Sequence, residues 1–239
     1  MMYFPRFAVG AVIAAALATV IGSAEDLTDL ERGKQLAAML RSAQPNQSVT
    51  NNATLTVRDA DARRQSTPIT IETQVVPAGW LVRYRSTKAG YPTALAVYHD
   101  AGTPPRYEWT AGGKTTALEG AEIWRPFLDS DFWLFDLSME FLHWPQQRLV
   151  KQELSNGRLC DILESTNPTT NGYATVRSSV DVEQKAILSA EAFDSRKVRI
   201  KYFSIQGSIE LRGTTIAGLN MVDERKGSVS KLIPDGMGK

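Results

Sequence analysis

Histidine is scarce in this chain. There are two, His99 and His143, in 239 residues, and each has an acid close by. In "EFLH", Glu140 and His143 stand at i and i+3. On a helix that spacing places a carboxylate and an imidazole on one face, as in a di-iron helix. Such a site needs a second copy of the motif and further glutamates on facing helices. The other histidine, His99, lies in a strand-like run, so the chain reads as having no metal site. His99-Asp100 has the parts of an acid–base pair, but no serine or cysteine stands in a recognisable nucleophile motif. No glycine loop of the phosphate-binding kind is present. Asp129 and Asp131 flank the start of a predicted helix, where its dipole favours negative charge. The one cysteine, Cys160, sits in the strand-like "GRLCDILES" and reads as a buried, inert thiol packed as a small hydrophobe. Asn46-Gln-Ser and Asn52-Ala-Thr match the glycosylation acceptor pattern. The residues that could do chemistry therefore do not assemble into a reaction. The chain reads as a protein that is not an enzyme and uses no cofactor.

The charge balance narrows the partners. Residues 1–24, "MMYFPRFAVGAVIAAALATVIGSA", place one arginine before an apolar run that ends in small residues. That is the pattern of a secretory signal peptide, cleaved near Ala24. The run, from Phe7 to Ile21, is shorter than the ~20 residues that a spanning helix needs. Without it the chain is electrically neutral, because the leader carries one of the 27 basic residues and none of the 26 acidic ones. A neutral chain is a poor binder of nucleic acid, where basic contacts to phosphate dominate. Neutrality also argues against electrostatic docking on anionic membranes. No other stretch is long and apolar enough to span a bilayer, so the mature form is expected to have no integral membrane segment. A single thiol gives no internal disulfide, so packing alone must hold the fold. Residues 25–239 are expected to form a single domain.

The elements follow from periodicity. "EDLTDLERGKQLAAMLRSAQP" is a helix that Asp26 can cap, with Leu30, Gly33, Ala37 and Leu40 on one face. Gly33 lowers helix propensity but lets a neighbouring backbone come close. The period then changes from 3.6 to 2. Ile69, Ile71, Thr73 and Val75 alternate with Thr70, Glu72 and Gln74, and after the turn at Pro77–Gly79 Trp80, Val82 and Tyr84 alternate with Leu81, Arg83 and Arg85. Gly112-Gly113 and Asn156-Gly157 mark further tight turns. Others fall near Glu183-Gln184, Ser195-Arg196 and Lys226-Gly227. The total is about ten or eleven strands and two helices, an antiparallel meander joined by short turns. A sheet of that size curls.

The second helix is the unusual one. "DFWLFDLSMEFLHW", residues 131–144, wound at about 100° per residue, puts Trp133, Leu134, Leu137, Phe141 and Trp144 on one side. Phe132, Phe135, Met139 and Leu142 fall on another. A surface helix has one apolar face; this one has two, between Pro126 and Pro145. Its acids and histidine forbid a membrane span. It should lie inside the protein, a lid or plug across the mouth of the curled sheet, with one face on the sheet and the other against the N-terminal helix, a loop or a bound apolar molecule. Trp133, Leu134, Leu137, Phe141 and Trp144 are the candidate cavity side.

The motifs "DFWLFDLSMEFLHWPQQRLV", "GRLCDILES" and "VDVEQKAILSAEAFD" resemble those of the outer-membrane lipoprotein-sorting, LolA-like proteins. The resemblance covers roughly residues 27–233 and is closest to the large, poorly characterised branch of that group. It implies a mainly β, half-open antiparallel β-barrel with helices as a lid, in the periplasm of a Gram-negative bacterium, where the two glycosylation patterns would mean nothing. It also implies a cavity that holds acyl chains of lipids or lipoproteins. No functional residue of the carrier falls on a matching position here. The function that follows is a periplasmic carrier or binding protein for lipids or acylated lipoproteins. The alternatives are an envelope interaction or sensor module that binds a protein partner, and a structural envelope protein with no ligand.

Overall fold

A computed structural model describes residues 27–86, 92–155, 157–211 and 214–237. The leader expected at 1–24, Asp26 and Asn156 lie outside the described residues. The N-terminal helix α1 (Asp29–Ser42) is capped by Thr28, which exchanges hydrogen bonds with Glu31 in a capping box. Gly33 and Ala37 are its buried residues; Leu40 also packs on the core, whereas Leu30 of the expected face is 51% exposed.

The strands form one sheet. The first half of the chain contributes β1 (Val49–Arg58), β2 (Arg64–Val76), β3 (Gly79–Ser86), β4 (Thr93–Asp100), β5 (Arg106–Ala111) and β6 (Lys114–Leu118). The second half contributes β7 (Gln146–Ser155), β8 (Arg158–Thr166), β9 (Thr175–Asp181), β10 (Ile187–Phe193), β11 (Arg199–Leu211), β12 (Thr214–Asp223) and β13 (Ser228–Pro234). That is 13 strands, more than the sequence count. The strand without a clear sequence signal is β1, where Asn51 takes an inward position between Val49 and Ala53 and interrupts the apolar alternation.

The order is β6-β5-β4-β3-β2-β1-β13-β12-β11-β10-β9-β8-β7, and every pairing is antiparallel. Two meanders, one from each half, are joined where β1 pairs with β13, with Leu55 opposite Leu232. Bulges in the β7–β8, β9–β10, β10–β11 and β11–β12 pairings add twist to the second meander. The sheet does not close, so this is a mainly β, half-open barrel. Its edges, β6 and β7, are consecutive in the chain. The segment between them, residues 119–145, must therefore cross the open side from one edge to the other. Topology alone puts the aromatic segment in the mouth.

Along β7, α1 shields part of one edge. A Cβ on Gly33 would lie 2.6 Å from the Arg148 Cα and N and from the Gln147 carbonyl oxygen. The glycine is what allows helix and strand backbones to touch. Cys160 is fully buried, and burial pushes its thiol pKa up.

Candidate functional site

The aromatic segment is not one helix. It is a 3-10 turn (Gly120–Trp124), a tight loop, a short helix α2 (Leu134–Ser138) and a second 3-10 turn (Glu140–His143). Met139 separates the last two in the left-handed conformation, φ 53° and ψ 38°. The expected helix over 131–144 is thus corrected, and the break has a local cause. The Tyr107 hydroxyl lies 2.5 Å from both the Ser138 hydroxyl and the Glu140 carboxylate. The Ser138 hydroxyl also accepts from the Glu140 N–H at 3.1 Å. These side-chain bonds compete with continuation of the helix. Trp133 ends up at the N-cap of α2, where its N–H donates to Asp136 at 2.8 Å.

Ahead of α2, the chain is pinned by buried polar groups. Asp131, 2% exposed, accepts from Ser228 at 2.6 Å and from Ser230 at 2.8 Å, both on β13. Lys201 of β11 is equally buried. Its ammonium donates to the Asp131 carbonyl at 2.6 Å, pairs with Asp136 at 3.3 Å and stands 3.7 Å from the Trp133 ring centre. Burial lowers the Lys201 pKa, and the Asp136 carboxylate opposes that shift. Tyr173 donates to Asp136 at 2.8 Å and stacks on Trp133 at 4.8 Å. Behind α2, the Gln147 side chain donates to the carbonyls of Phe141 and Trp144, each at 2.9 Å, and accepts from Ser165 at 2.7 Å. The segment is tied at both ends by buried bonds. It is a plug with fixed ends.

The plug has a space on each side. Between it and the concave face of β2, β3, β12 and β13 lies a cleft of about 550 Å³. Ile71, Val82, Leu219 and Leu232 line it from the sheet, and Leu137, Met139 and Leu142 from the plug. The C-terminal end of α1 closes one side with Leu40 and Arg41, and exposed Gln44, Asn46 and Thr103 mark the rim. Arg41 donates to the Leu142 carbonyl, which ties α1 to the plug. On the far side is a small pocket of about 30 Å³ among Phe141, Val176, Ile187, Ala190, Phe203 and Met221; that is room for about one water. Met139 lines both.

Of the sequence candidates, Leu137 borders the cleft and Phe141 the small pocket. Trp133 lies in the aromatic stack with Trp124 and Tyr173. Leu134 is fully buried, and Trp144 packs on Phe135 with ring centres 5.6 Å apart. These three line neither space. Sequence reasoning missed the sheet residues Ile71, Val82, Leu219 and Leu232. Period-2 alternation marks them as inward-facing, but nothing in it distinguishes a wall from a core.

Both histidines of the chain border the cleft. His99 stacks on Trp80 with ring centres 3.9 Å apart. Burial pushes its pKa down to about 4, and His143 pushes it the same way. Burial and Arg41 bring His143 to about 4. Glu140 and His143 diverge, the first to Tyr107 and the second to the cleft. Among the described residues no group of three or more His, Cys, Asp or Glu side chains is placed to hold a metal ion. Among them no helix is long and apolar enough to cross a membrane.

A family model described as "Uncharacterized protein" matches residues 111–237, just over half of the chain, and the chain belongs to that family. No curated protein matches it in sequence. Three of the solved structures that match illustrate the shared fold. One, described as an outer membrane lipoprotein-sorting protein domain from Vibrio parahaemolyticus, is 16% identical with a TM-score of 0.73, covering 88% of this chain and 94% of that one. A DUF1329 family protein from Desulfovibrio piger is 14% identical with a TM-score of 0.72, covering 88% and 92%. A LolA superfamily protein from Nitrosomonas europaea is 14% identical with a TM-score of 0.62, covering 87% and 92%. At these identities the likeness is one of fold, and the fold is LolA-like.

Proposed function

We propose that this chain, a LolA-like fold in a family described only as uncharacterized, is a periplasmic carrier or binding protein for lipids or acylated lipoproteins. The observation that carries the reading is the cleft of about 550 Å³ with apolar walls on both sheet and plug. It lies within the ~300–1,000 Å³ of ordinary ligand sites. Each acyl CH₂ removed from water contributes about 0.8 kcal/mol, so an acyl chain binds there without any catalytic group. On the plug side, Leu137, Met139 and Leu142 contact the chain. Rotation of Met139, an unbranched and adaptable side chain, joins the cleft to the small pocket and brings Phe141 into contact. Trp133, Leu134 and Trp144 form the rigid backing of that wall. The apolar leader at 1–24 supports export, which places the protein where such ligands must cross water between two membranes.

The test is to purify the protein from its host under gentle conditions, extract it with organic solvent and identify what is released by mass spectrometry. The expected result is a stoichiometric lipid or acylated species. A clean blank, with no uptake of added lipid or acylated peptide, would overturn the carrier reading in favour of an envelope interaction module.

A further inference from the structure

The polar side of the cleft has a charge pattern that acyl burial does not require. Its charged and titratable lining groups are Arg41, His99, His143, Asp100 and Tyr84, and burial pushes the Tyr84 phenol well above its ordinary range, so it stays neutral. Asp100 is already engaged by Arg106, with two guanidinium nitrogens at 2.9 and 3.0 Å from one carboxylate oxygen. Arg41 has the opposite situation. Among the described residues its partner is a neutral carbonyl, that of Leu142, and no carboxylate pairs with it. A guanidinium carries five N–H donors and is always charged, so most of its capacity is unused. Neither imidazole has a hydrogen-bond partner within the protein among the described residues; the His99 ring lies flat on Trp80. Each neutral imidazole still offers one N–H.

We infer that the cleft selects an amphiphile with an anionic head, a carboxylate or a phosphate, held by Arg41, His143 and His99 while its chain lies on Ile71, Leu137 and Leu142. This inference rests on acyl binding in the same cleft. A neutral head, such as an alcohol or ester, would leave the Arg41 charge unmatched in a partly buried place. An anion satisfies it through charge-assisted bonds, the stronger class. The lowered histidine pKa values fit an empty site, because a bound anion would draw protons onto both rings. The chain thus favours an ionised lipid over a neutral acylated peptide terminus as cargo.

Titration calorimetry with matched twelve-carbon ligands below their micelle concentrations separates the two levels. Laurate and dodecyl phosphate are expected to bind at least about tenfold more tightly than dodecanol. Arg41→Met should erase that preference, read as the ratio of laurate to dodecanol affinity in the same protein, whereas Arg41→Lys should retain part of it. His143→Gln should lower the preference without touching the tie between Arg41 and Leu142. Dodecanol binding as tightly as laurate to the unmodified protein would overturn the anionic head site and leave the carrier reading intact. No binding by any of the three would overturn both. Inorganic phosphate binding as tightly as dodecyl phosphate would also overturn the inference, since the chain would then contribute nothing.

Discussion

Replacing Lys201 with methionine tests the plug at its most exposed assumption. The lysine side chain is 2% accessible and its partner Asp136 8%. Removing the ammonium leaves the Asp136 carboxylate buried with two neutral donors, Tyr173 and the Trp133 N–H. It also strips the Asp131 carbonyl of its 2.6 Å bond and the Trp133 ring of its cation. Breaking a buried pair by deleting one partner costs about 3–5 kcal/mol, because an uncompensated charge remains. Methionine is nearly isosteric, so little of that is cavity. With a urea slope of roughly 2–3 kcal/mol per molar, the midpoint should fall by about 1–2 M. The double variant Lys201→Met/Asp136→Asn should recover a large part of the loss, since it removes the orphaned charge. Equilibrium urea unfolding of the four proteins, followed by tryptophan fluorescence, gives the cycle. A Lys201→Met protein within about 1 kcal/mol of the parent would refute the claim that this pair pins the segment.

Two further outcomes concern the helix and the cleft. Gly33→Ala should destabilise by about 1–3 kcal/mol, because the new Cβ meets Arg148 backbone at 2.6 Å. Helix propensity alone predicts a gain of up to ~1 kcal/mol, so the sign of the change in a thermal melt decides. His99 has a folded pKa lowered to about 4, so its contribution is present above about pH 6.5 and is lost as the pH falls toward 4. It amounts to at most ~3 kcal/mol. His99→Phe should flatten that part of the stability profile while keeping a ring on Trp80, and an NMR titration of His99 near 6.5 would contradict the burial argument.

Much of the barrel could be read from the sequence because its strands are two-faced. Thr67 and Ile69 in β2, Val176, Ser178 and Val180 in β9, and Ser228, Ser230 and Leu232 in β13 are buried at alternate positions, and that alternation is a local property of the chain. Gly33 was legible for a similar reason: a glycine amid good helix formers needs a reason, and close approach is one. β1 was not legible, because its inward Asn51 belongs to a position that only the pairing with β2 creates, opposite Ile71. The plug shows where periodicity misleads. Residues 131–144 match a 3.6 repeat on two faces, yet the polar residues between those faces do not all turn to solvent. Asp131, Asp136 and Ser138 point inward to Ser228, Lys201 and Tyr107. Those partners lie 31 to 97 residues away in the chain, and no local pattern announces them.

The same ties constrain how a ligand can enter. A lid that swings would have to break the Asp131, Lys201 and Gln147 anchors, each buried and each satisfied on more than one side. Opening that knot exposes charges and carbonyls together, at a cost of several kcal/mol. The cleft needs none of this. It already opens at the rim between the end of α1 and the Asp100–Thr103 turn, where Gln44 and Thr103 are exposed. In the proposed carrier, entry past that rim would bring a chain by Arg41 and the two histidines to Leu137 and Met139. A plug with fixed ends and one adaptable side chain at its centre can admit a ligand without unfolding. The break at Met139 also reshuffles the two apolar faces read from the sequence: Leu137 of one and Leu142 of the other meet at the cleft, while Phe141 turns to the second meander.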